Sequence, residues 1–284
     1  MKPQVDLSIT IASYNTKSYI KNCLDSIFRN TSGINFEVIV VDNASADDSV
    51  KMIKKDFPKV KLISNQKNLY FSKAYNQALK KSGGRYCLVL NSDTIIPKNS
   101  LKKIFLFMEN HPEDAASSCR QVNDKGQIDK TCSLFPTPII EFLESNILTK
   151  PLRPNKILKR YRYNDWKRNT SREVDVIPGS FMFIRKKTLE KVGYFDENLF
   201  LYYGENDLCL RIKKAGLSVY HNPKVTIIHL QSQSINKLPT WQLFQITLHD
   251  MLYYYKKHFG LAWWLFLWIT YRANWIYWRL QSFK

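Results

Sequence analysis

Short polar runs follow each of the first four apolar segments of this 284-residue chain. The runs are Ser13-Tyr14-Asn15, Asp42-Asn43, Asn65 with Asn68, and Asn91-Ser92-Asp93. Helix capping and turn formation explain some of these residues, but they explain poorly why Asp42 and Asp93 both end apolar segments. If the segments are parallel strands, their carboxyl ends meet at one edge, where open α/β sheets bind ligands. The spacing therefore predicts a shared binding cleft.

No glycine-rich phosphate loop accompanies these runs, because neither GxGxxG nor GxxxxGK(S/T) occurs in the chain. A nucleotide bound here would need its phosphates neutralised in another way. A divalent cation held by one carboxylate and by the phosphate oxygens would do this, and Mg²⁺ commonly binds so in proteins. Asp93 is the natural anchor for such an ion.

Two carboxylates and one imidazole further along the chain are also candidates for chemistry. Glu205 and Asp207 stand at the start of a predicted helix. Acids at that position stabilise the helix dipole, whereas a carboxylate that faces the cleft would serve as a general base. A lone histidine is more often structural, but His229 follows an apolar strand, which is where a cleft residue would emerge.

The elements that position these residues alternate in the first third of the chain. The predicted strands are Val5–Ala12, Phe36–Val41, Val60–Ile63 and Tyr86–Leu90, and the predicted helices are Ser18–Arg29, Ser45–Phe57 and Phe71–Lys81. Strands that alternate with helices of about a dozen residues indicate βαβ units and a mostly parallel sheet. The N-terminus is interpreted as a first strand and not as a signal peptide.

The alternation loosens after Asp93. The expected elements are a helix at Leu101–Asn110, two short strands or hairpins through Gly126, a strand pair within Val174–Ile184, helices at Lys187–Val192 and Asn206–Ala215, and strands at Ser218–Tyr220 and Val225–His229. Between them, residues 150–172 hold nine lysines and arginines and one acid, Asp165. Two prolines open this segment, and we expect an exposed loop or a mobile flap.

Composition narrows the functional classes. The chain has 43 Lys and Arg against 24 Asp and Glu, a net charge of +19, which points to anionic partners. A hydrophobic content of 44% excludes a disordered chain. The five cysteines form no CxxC pair or Cys/His cluster, so a disulfide framework and a zinc site are not expected. We expect buried thiols in a reducing cytosol.

The C-terminal residues 259–278 are unusually aromatic. They contain Trp263, Trp264, Trp268, Trp275 and Trp278, five of the seven tryptophans. The uninterrupted apolar stretch Leu261–Tyr271 is too short to span a bilayer, while indole rings favour the membrane–water interface. An amphipathic helix lying in the membrane plane is expected; a core or dimer helix is the alternative.

Together, these segments resemble glycosyltransferase family 2, the GT-A-type inverting sugar transferases, and are most similar to its rhamnosyltransferase-like branch. The matching strings, in family order, are LSITIASYN (7–15), FEVIVVDNASADDS (36–49), NQKNLYFSKAYNQAL (65–79), GGRYCLVLNSDT (83–94), the run from IPGSF to KKAG (177–216) and HLQSQS (229–234). The resemblance implies a GT-A-like, Rossmann-type, mostly parallel sheet flanked by helices. It also implies a catalytic domain over residues 1–234, divided into a nucleotide half (1–97) and an acceptor-side half (98–234), and a helical membrane-associating extension over 235–284.

The resemblance also assigns roles to single residues. Ser13, Tyr14 and Asn15 would border the nucleotide, Asp42 would hydrogen-bond the nucleobase, Asn68 would lie near the nucleotide, Asn91-Ser92-Asp93 would occupy the family's DxD position with Asp93 on the metal, and His229 would complete the metal site or contact the diphosphate. Glu205 or Asp207 would be the catalytic base, with a one-residue ambiguity in the alignment. The family usually has glycine where Tyr70 stands, which puts the sugar-side contact there in doubt.

The function implied is inverting transfer of one sugar, because the QxxRW motif of processive synthases is absent. The resemblance implies a dTDP- or UDP-sugar donor, rhamnose among the candidates, with Mg²⁺ or Mn²⁺ as cofactor. The acceptor would be a glycan, polyprenyl-diphosphate-linked or other, at the cytoplasmic face of an anionic membrane. A homodimer through the C-terminal helix remains open.

Two other functions compete with this one. A nucleotidyltransferase would also bind a nucleotide and a metal, but SYNTKS (13–18) lacks the expected glycine-rich basic loop. A nucleic-acid-binding protein would suit the positive charge, but no recognition motif occurs and the acidic strand ends would repel phosphate. No nucleic-acid partner is therefore expected.

Overall fold

The computed structural model of the protein describes residues 4–153, 155–230 and 237–281, so residues 231–234 of the predicted HLQSQS segment lie outside the described residues. The side chain of Trp278 is likewise outside them. Within the described residues, ten strands form one mixed sheet with helices on both faces. The predicted α/β class is confirmed.

The first half of the sheet is parallel, as the alternation predicts. Its elements are β1 (Leu7–Ser13), α1 (Lys17–Asn30), β2 (Phe36–Asp42), α2 (Ser49–Asp56), β3 (Lys61–Ser64), α3 (Tyr70–Lys81) and β4 (Tyr86–Asn91). The strands lie in the order β3-β2-β1-β4. β1 and β4 are buried on both faces, which is why both read as continuous apolar runs.

The second half mixes strand directions. Its elements are β5 (Thr94–Ile95), α4 (Ser100–Glu109), β6 (Asp114–Val122), β7 (Ile128–Asp129), α5 (Pro138–Ser145), a 3-10 helix (Ile147–Leu152), α6 (Lys156–Tyr161), β8 (Arg172–Glu173), β9 (Phe181–Arg185), α7 (Lys186–Val192), α8 (Gly204–Lys214) and β10 (Ser218–His229). The strand order continues from β4 as β9-β6-β10-β5, with β9 antiparallel to both of its neighbours. β10 is one strand with a register shift after Asn222, where the sequence predicts two.

Two hydrophobic cores lie on opposite faces of the sheet. One packs α1, α2 and α4 against residues such as Ile9 and Leu88, and the other packs α3, α7 and α8 against residues such as Val89 and Ile184. All five cysteines are free and buried, as expected. Burial raises the pKa of the Cys23 thiol to about 12, so this thiol stays protonated and unreactive.

The C-terminal residues form three helices: α9 (Thr240–Phe259), α10 (Leu261–Thr270) and α11 (Arg272–Gln281). Gly260 follows α9, and its φ of +90° suits glycine and turns the chain into α10. The predicted single in-plane helix over 259–278 is therefore two short helices. Met251, Tyr254 and Leu267 form a third core with Leu199. Among the described helices, none combines the length and the apolar content that a membrane span requires.

Most residues of the basic segment 150–172 are exposed, as its composition predicts, but the segment is not simply a loop. It contains α6 and the end of the 3-10 helix, and Arg168 within it is fully buried. The Arg168 guanidinium donates to four backbone carbonyls, at 2.9 Å to Thr131, 2.6 Å to Tyr163, 2.7 Å to Trp166 and 2.7 Å to Arg162. Part of the segment's positive charge therefore holds its own backbone together.

We expect Arg168→Lys to lower the free energy of unfolding by roughly 2–4 kcal/mol, because each buried carbonyl left unsatisfied costs about 1–3 kcal/mol. A lysine ammonium lacks the planar fork that reaches several carbonyls at once. Urea unfolding measures the change, and the exposed Arg160→Lys is the matched control. Equal stability of the two variants would contradict the structural role of Arg168.

Candidate functional site

A cleft of about 310 Å³ lies at the carboxyl edge of the parallel strands. The predicted site residues that line it are Ser13, Tyr14, Asn68, Asn91, Ser92, Asp93 and Glu205. Asn15, Asp42, Asp207 and His229 do not line this cleft. The cleft thus brings together residues separated by almost two hundred positions in the chain.

Hydroxyl groups join the ends of β1 and β4. The hydroxyls of Ser13 and Thr16 lie 2.9 Å apart, and the Thr16 hydroxyl donates to Ser92 Oγ at 3.1 Å. All three side chains are buried, so the chain of hydroxyls fixes the spacing of the two strand ends. Thr16 was not predicted as a site residue, since its position before a helix suggests only a cap.

Asn15 has a structural role in the loop after β1. Its backbone lies in the left-handed region with φ +53°. Its N–H donates to Ser45 Oγ at 2.9 Å, and its side-chain oxygen accepts from the Ala46 N–H at 2.8 Å. These bonds tie the loop after β1 to the loop after β2.

Asp42 ends β2, and its two carboxylate oxygens differ in their hydrogen bonding. Its Oδ1 accepts from the Ser45 N–H at 2.9 Å. Its Oδ2 is buried and has no hydrogen-bond partner among the described residues. A buried acceptor without a partner is costly, so a donor group on a ligand would find a favourable partner here.

Asp93 and His229 form a pair beside the cleft. His229 Nε2 lies 3.3 Å from Asp93 Oδ1 and 3.4 Å from Asn91 Nδ2. The pair forms because β10 runs antiparallel to β5, with His229 opposite Thr94. The Leu230 N–H then donates to the Asp93 carbonyl at 2.9 Å.

A carboxylate and an imidazole at this separation suit a divalent cation such as Mn²⁺. The described residues contain no group of three or more His, Cys, Asp and Glu placed to hold an ion. Most of the coordination would therefore come from ligand oxygens and water, as is usual for ions bound with phosphates.

Glu205 lies in the first turn of α8 and faces the cleft. The residue before it, Gly204, lies in a tight space, since a Cβ at that position would lie 3.0 Å from Ser72 Oγ. Burial raises the pKa of the Glu205 carboxyl, and the negative charge of Asp250 raises it further. A carboxylate with a raised pKa is better suited to accept a proton.

Asp207 is fully buried and all its charge is paired. Its carboxylate accepts from Arg211 Nε at 2.8 Å, Lys257 Nζ at 2.6 Å and His258 Nε2 at 2.8 Å. Burial alone would raise its pKa, but the hydrogen bonds from His258 and Lys257 hold that pKa well below the usual range. Of the two candidate bases, Glu205 alone lines the cleft, and Asp207 ties α8 to α9.

Asp250 of α9 fixes the loop that precedes α8. Its carboxylate accepts the N–H groups of Phe200 at 3.0 Å, Leu201 at 2.8 Å and Tyr202 at 2.9 Å. Leu201 and Tyr202 line the cleft. Nothing in the local sequence around Asp250 indicates this role, because its partners lie about fifty residues away.

Pro178, Gly179 and Ser180 also line the cleft and were not predicted as site residues. They precede β9, which runs antiparallel to β4, so the amino end of β9 meets the carboxyl end of β4. The Asn91 N–H donates to the Ser180 carbonyl at 3.1 Å. The strand-end rule considers only residues that follow parallel strands and therefore misses them.

Tyr70 stands where the resemblance leads us to expect glycine, and its backbone conformation is one that suits glycine. Its φ is +59°, in the left-handed region that side chains rarely adopt. Its ring stacks on Phe200 with centroids 5.9 Å apart, and its hydroxyl accepts from Gln242 Nε2 at 3.0 Å. These contacts offset the strain and link α3 to α9.

The model of the family described as "Glycosyl transferase family 2" matches residues 8–193. The chain belongs to glycosyltransferase family 2. Rhamnosyltransferase WbbL of Escherichia coli K12 is 28% identical over 230 residues, which are 78% of this chain and 82% of that protein. The N-acetylglucosaminyl-diphospho-decaprenol L-rhamnosyltransferase of Mycobacterium tuberculosis is 24% identical over 277 residues, 91% of this chain and 86% of that protein.

Solved structures support the fold of this glycosyltransferase. The mannosyltransferase from Pyrobaculum calidifontis, solved with GDP-Man and Mn²⁺, superposes with a TM-score of 0.60 at 17% identity. The match covers 90% of this chain and 64% of that one. The expected GT-A-like sheet with flanking helices is thereby confirmed.

We expect Asp207→Asn to lower the free energy of unfolding by roughly 3 kcal/mol, near the lower end of the range for breaking a buried ion pair, because Lys257 keeps Asp196 as a second partner. The folded-state pKa of Asp207 is depressed, so its stabilisation exists above the unfolded value of about 4 and is lost as pH falls. Urea unfolding at neutral and acid pH checks this. A difference between wild type and variant that did not shrink in acid would contradict the ion pair.

Proposed function

We propose that the protein is an inverting glycosyltransferase that moves one sugar from a nucleoside-diphosphate sugar to an acceptor hydroxyl. The observation that carries this proposal is that Asp93, which is paired with His229, and Glu205 line the same cleft. Family membership supplies the reaction class, and the cleft supplies a place for each part of it.

The nucleotide would lie over the ends of β1 and β2. Asp42 Oδ2 would accept a hydrogen bond from the nucleobase, since the oxygen is buried without a partner among the described residues. Asn68 and Tyr14 would border the nucleotide, and Ser13 with Asn91 and Ser92 would line its diphosphate side. Asn15 would act indirectly by holding the loop. The names of two relatives, both rhamnosyltransferases, favour rhamnose as the transferred sugar.

Asp93 and His229 would hold the divalent cation, Mg²⁺ or Mn²⁺, with the diphosphate oxygens. When bound, the ion neutralises the negative charge that develops on the leaving diphosphate. The carboxylate–imidazole pair fits this role, and a structural neighbour was solved with Mn²⁺. His229, at the end of β10, would thereby help Asp93 to hold the ion next to the cleft.

Glu205 would remove the proton from the acceptor hydroxyl. The acceptor oxygen then forms a bond to the anomeric carbon while the bond from that carbon to the diphosphate oxygen breaks on the opposite face. The electron pair leaves with the diphosphate, the proton stays on Glu205, and the configuration inverts. Burial of Glu205 favours this role, because a raised pKa makes the carboxylate a better proton acceptor.

The acceptor would be a lipid-linked or other glycan at a membrane surface in cell-surface polysaccharide synthesis. A relative whose name contains a diphospho-decaprenol acceptor covers 91% of this chain. We propose that residues 1–234 form the catalytic domain and residues 235–284 an extension. Asp250 in α9 of that extension binds the loop that precedes α8. Membership of the family removes the case for a nucleotidyltransferase or a nucleic-acid-binding protein.

We expect Glu205→Gln to lower kcat about a hundredfold to ten-thousandfold, which is the usual contribution of a general base. Asp93→Ala should raise the donor KM and the metal concentration needed for half-maximal rate. Nucleoside-diphosphate release measures both, after a panel of dTDP-, UDP- and GDP-sugars with Mn²⁺ has identified the donor.

The exposed Glu190→Gln on α7 is the matched control and should retain the wild-type rate. The wild-type kcat/KM should fall at acid pH with an apparent pKa above the ordinary glutamate value, because Glu205 must be ionised to accept the proton. Near wild-type transfer by both Glu205→Gln and Asp93→Ala would contradict the proposed site.

The membrane surface is proposed to combine the C-terminal helices with the basic segment. Leu261, Ile269 and Ile276 are more than half exposed, and so is Leu148 of the 3-10 helix. Asn274 of α11 binds the chain just before the basic segment, since it accepts from the Ile147 N–H at 2.7 Å and donates to the Ser145 carbonyl at 2.9 Å. The 3-10 helix that begins at Ile147 continues into that segment. Exposed apolar residues beside basic ones suit an anionic bilayer surface.

We expect the triple variant Lys156→Gln, Lys159→Gln and Arg160→Gln to weaken binding to anionic vesicles by about a hundredfold, because each such charge near the surface is worth about 1 kcal/mol. Sedimentation with phosphatidylglycerol and phosphatidylcholine vesicles measures it. The control removes three exposed charges elsewhere, Lys54→Gln, Lys55→Gln and Lys59→Gln. Equal losses in both triple variants would indicate nonspecific charge attraction and contradict a defined membrane surface.

A further inference from the structure

A second cavity of about 580 Å³ adjoins the cleft. It shares three lining residues with the first, namely Pro178, Tyr202 and Glu205. The Glu205 carboxylate therefore stands in the wall between two spaces. The first space is lined by the residues proposed to bind the donor, whereas the second is lined mainly by other residues.

The second cavity is lined by hydroxyl and carboxyl groups. They include those of Asp129, Thr131, Glu141, Glu144 and Tyr161. Asp129 Oδ2 and Thr131 Oγ1 are buried and have no hydrogen-bond partner among the described residues. The Thr131 hydroxyl does interact with the thiol of Cys132, which is a weak hydrogen-bonding group. Both residues line the cavity, and their oxygens keep hydrogen-bonding capacity that a ligand's hydroxyl groups would satisfy.

The charges of this cavity do not suit an anionic ligand. Its arginine, Arg162, donates from Nε to Glu144 at 2.7 Å, and its lysine, Lys130, donates to the Asn164 carbonyl at 3.2 Å. Asp129 adds a further negative charge beside them. Four carboxylates line the cavity against two cations, so a phosphate would be disfavoured there, whereas neutral hydroxyl groups would find both donors and acceptors.

We propose that the second cavity binds the terminal sugar of the acceptor as a neutral pyranose ring. The proposal rests on the proposed function, because it places the attacking hydroxyl against Glu205. Asp129 and Thr131 would bind hydroxyl groups of the same ring away from the reacting one. Any phosphate of a lipid-linked acceptor would then lie outside the cavity, toward the exposed basic residues of segment 150–172.

The test measures acceptor binding apart from donor binding. Methyl glycosides of N-acetylglucosamine, glucose, galactose and rhamnose serve as probes, observed by saturation-transfer NMR and as acceptors in sugar transfer. Asp129→Asn and Thr131→Val should each raise the Kd and the KM of the preferred glycoside about fivefold, the usual effect of one hydrogen bond. The donor KM should stay within experimental error of the wild-type value.

The control is Asp124→Asn, which removes an exposed carboxylate from the turn between β6 and β7. It should leave the glycoside Kd unchanged. Unchanged glycoside binding in both Asp129→Asn and Thr131→Val, or no binding of any glycoside to wild type, would overturn the acceptor pocket. A wild-type protein that binds a glycoside but releases no nucleotide from any donor would instead contradict the proposed function.

Discussion

The docking of α9 on the start of α8 is the interaction on which the cleft depends. Two buried carboxylates carry it from opposite sides. Asp250 of α9 gathers three backbone N–H groups of the loop before α8, and Asp207 of α8 accepts from Lys257 and His258 of α9. Glu205 lies between these two attachments. Breaking either attachment would leave a buried charge without its partners, which is costly. The two attachments therefore fix the start of α8 and hold the carboxylate of Glu205 between the two cavities.

Strand direction explains why the site draws on distant parts of the chain. The parallel half brings the ends of β1 and β4 together, and the antiparallel β9 adds its amino end to the same edge. The short β5 then reverses after Asp93 and pairs with β10, which places His229 beside that carboxylate. A wholly parallel sheet would leave the histidine without this neighbour.

The spacing of apolar residues along the chain predicts the half of the sheet whose strands and helices alternate. Apolar runs with helical or strand spacing gave the parallel half, and the polar residues after those strands led to Ser13, Asn91 and Asp93 in the cleft. Asp250 and Ser180 were not predicted as site residues. The partners of Asp250 are set by tertiary contacts, and Ser180 reaches the cleft through an antiparallel strand. Asp207 could not be separated from Glu205 by spacing alone, since only the packing of α9 shows that its charge is already paired.

The net charge of +19 overstates how much positive charge the surface presents, because several arginines are engaged inside the protein. Arg168 donates to four backbone carbonyls. Arg185 donates to the carbonyls of Asp114, Met108 and His111 and to the Tyr86 hydroxyl. Arg211 pairs with Asp207 and also donates to the Val192 carbonyl. Internal arginines of this kind offer nothing to a partner, because their donors are already satisfied. The positive charge available to a partner therefore comes from exposed side chains such as Lys156, Lys159 and Arg160 of α6. α6 packs on α5, and α5 in turn packs on α10 through the rings of Phe142 and Phe266.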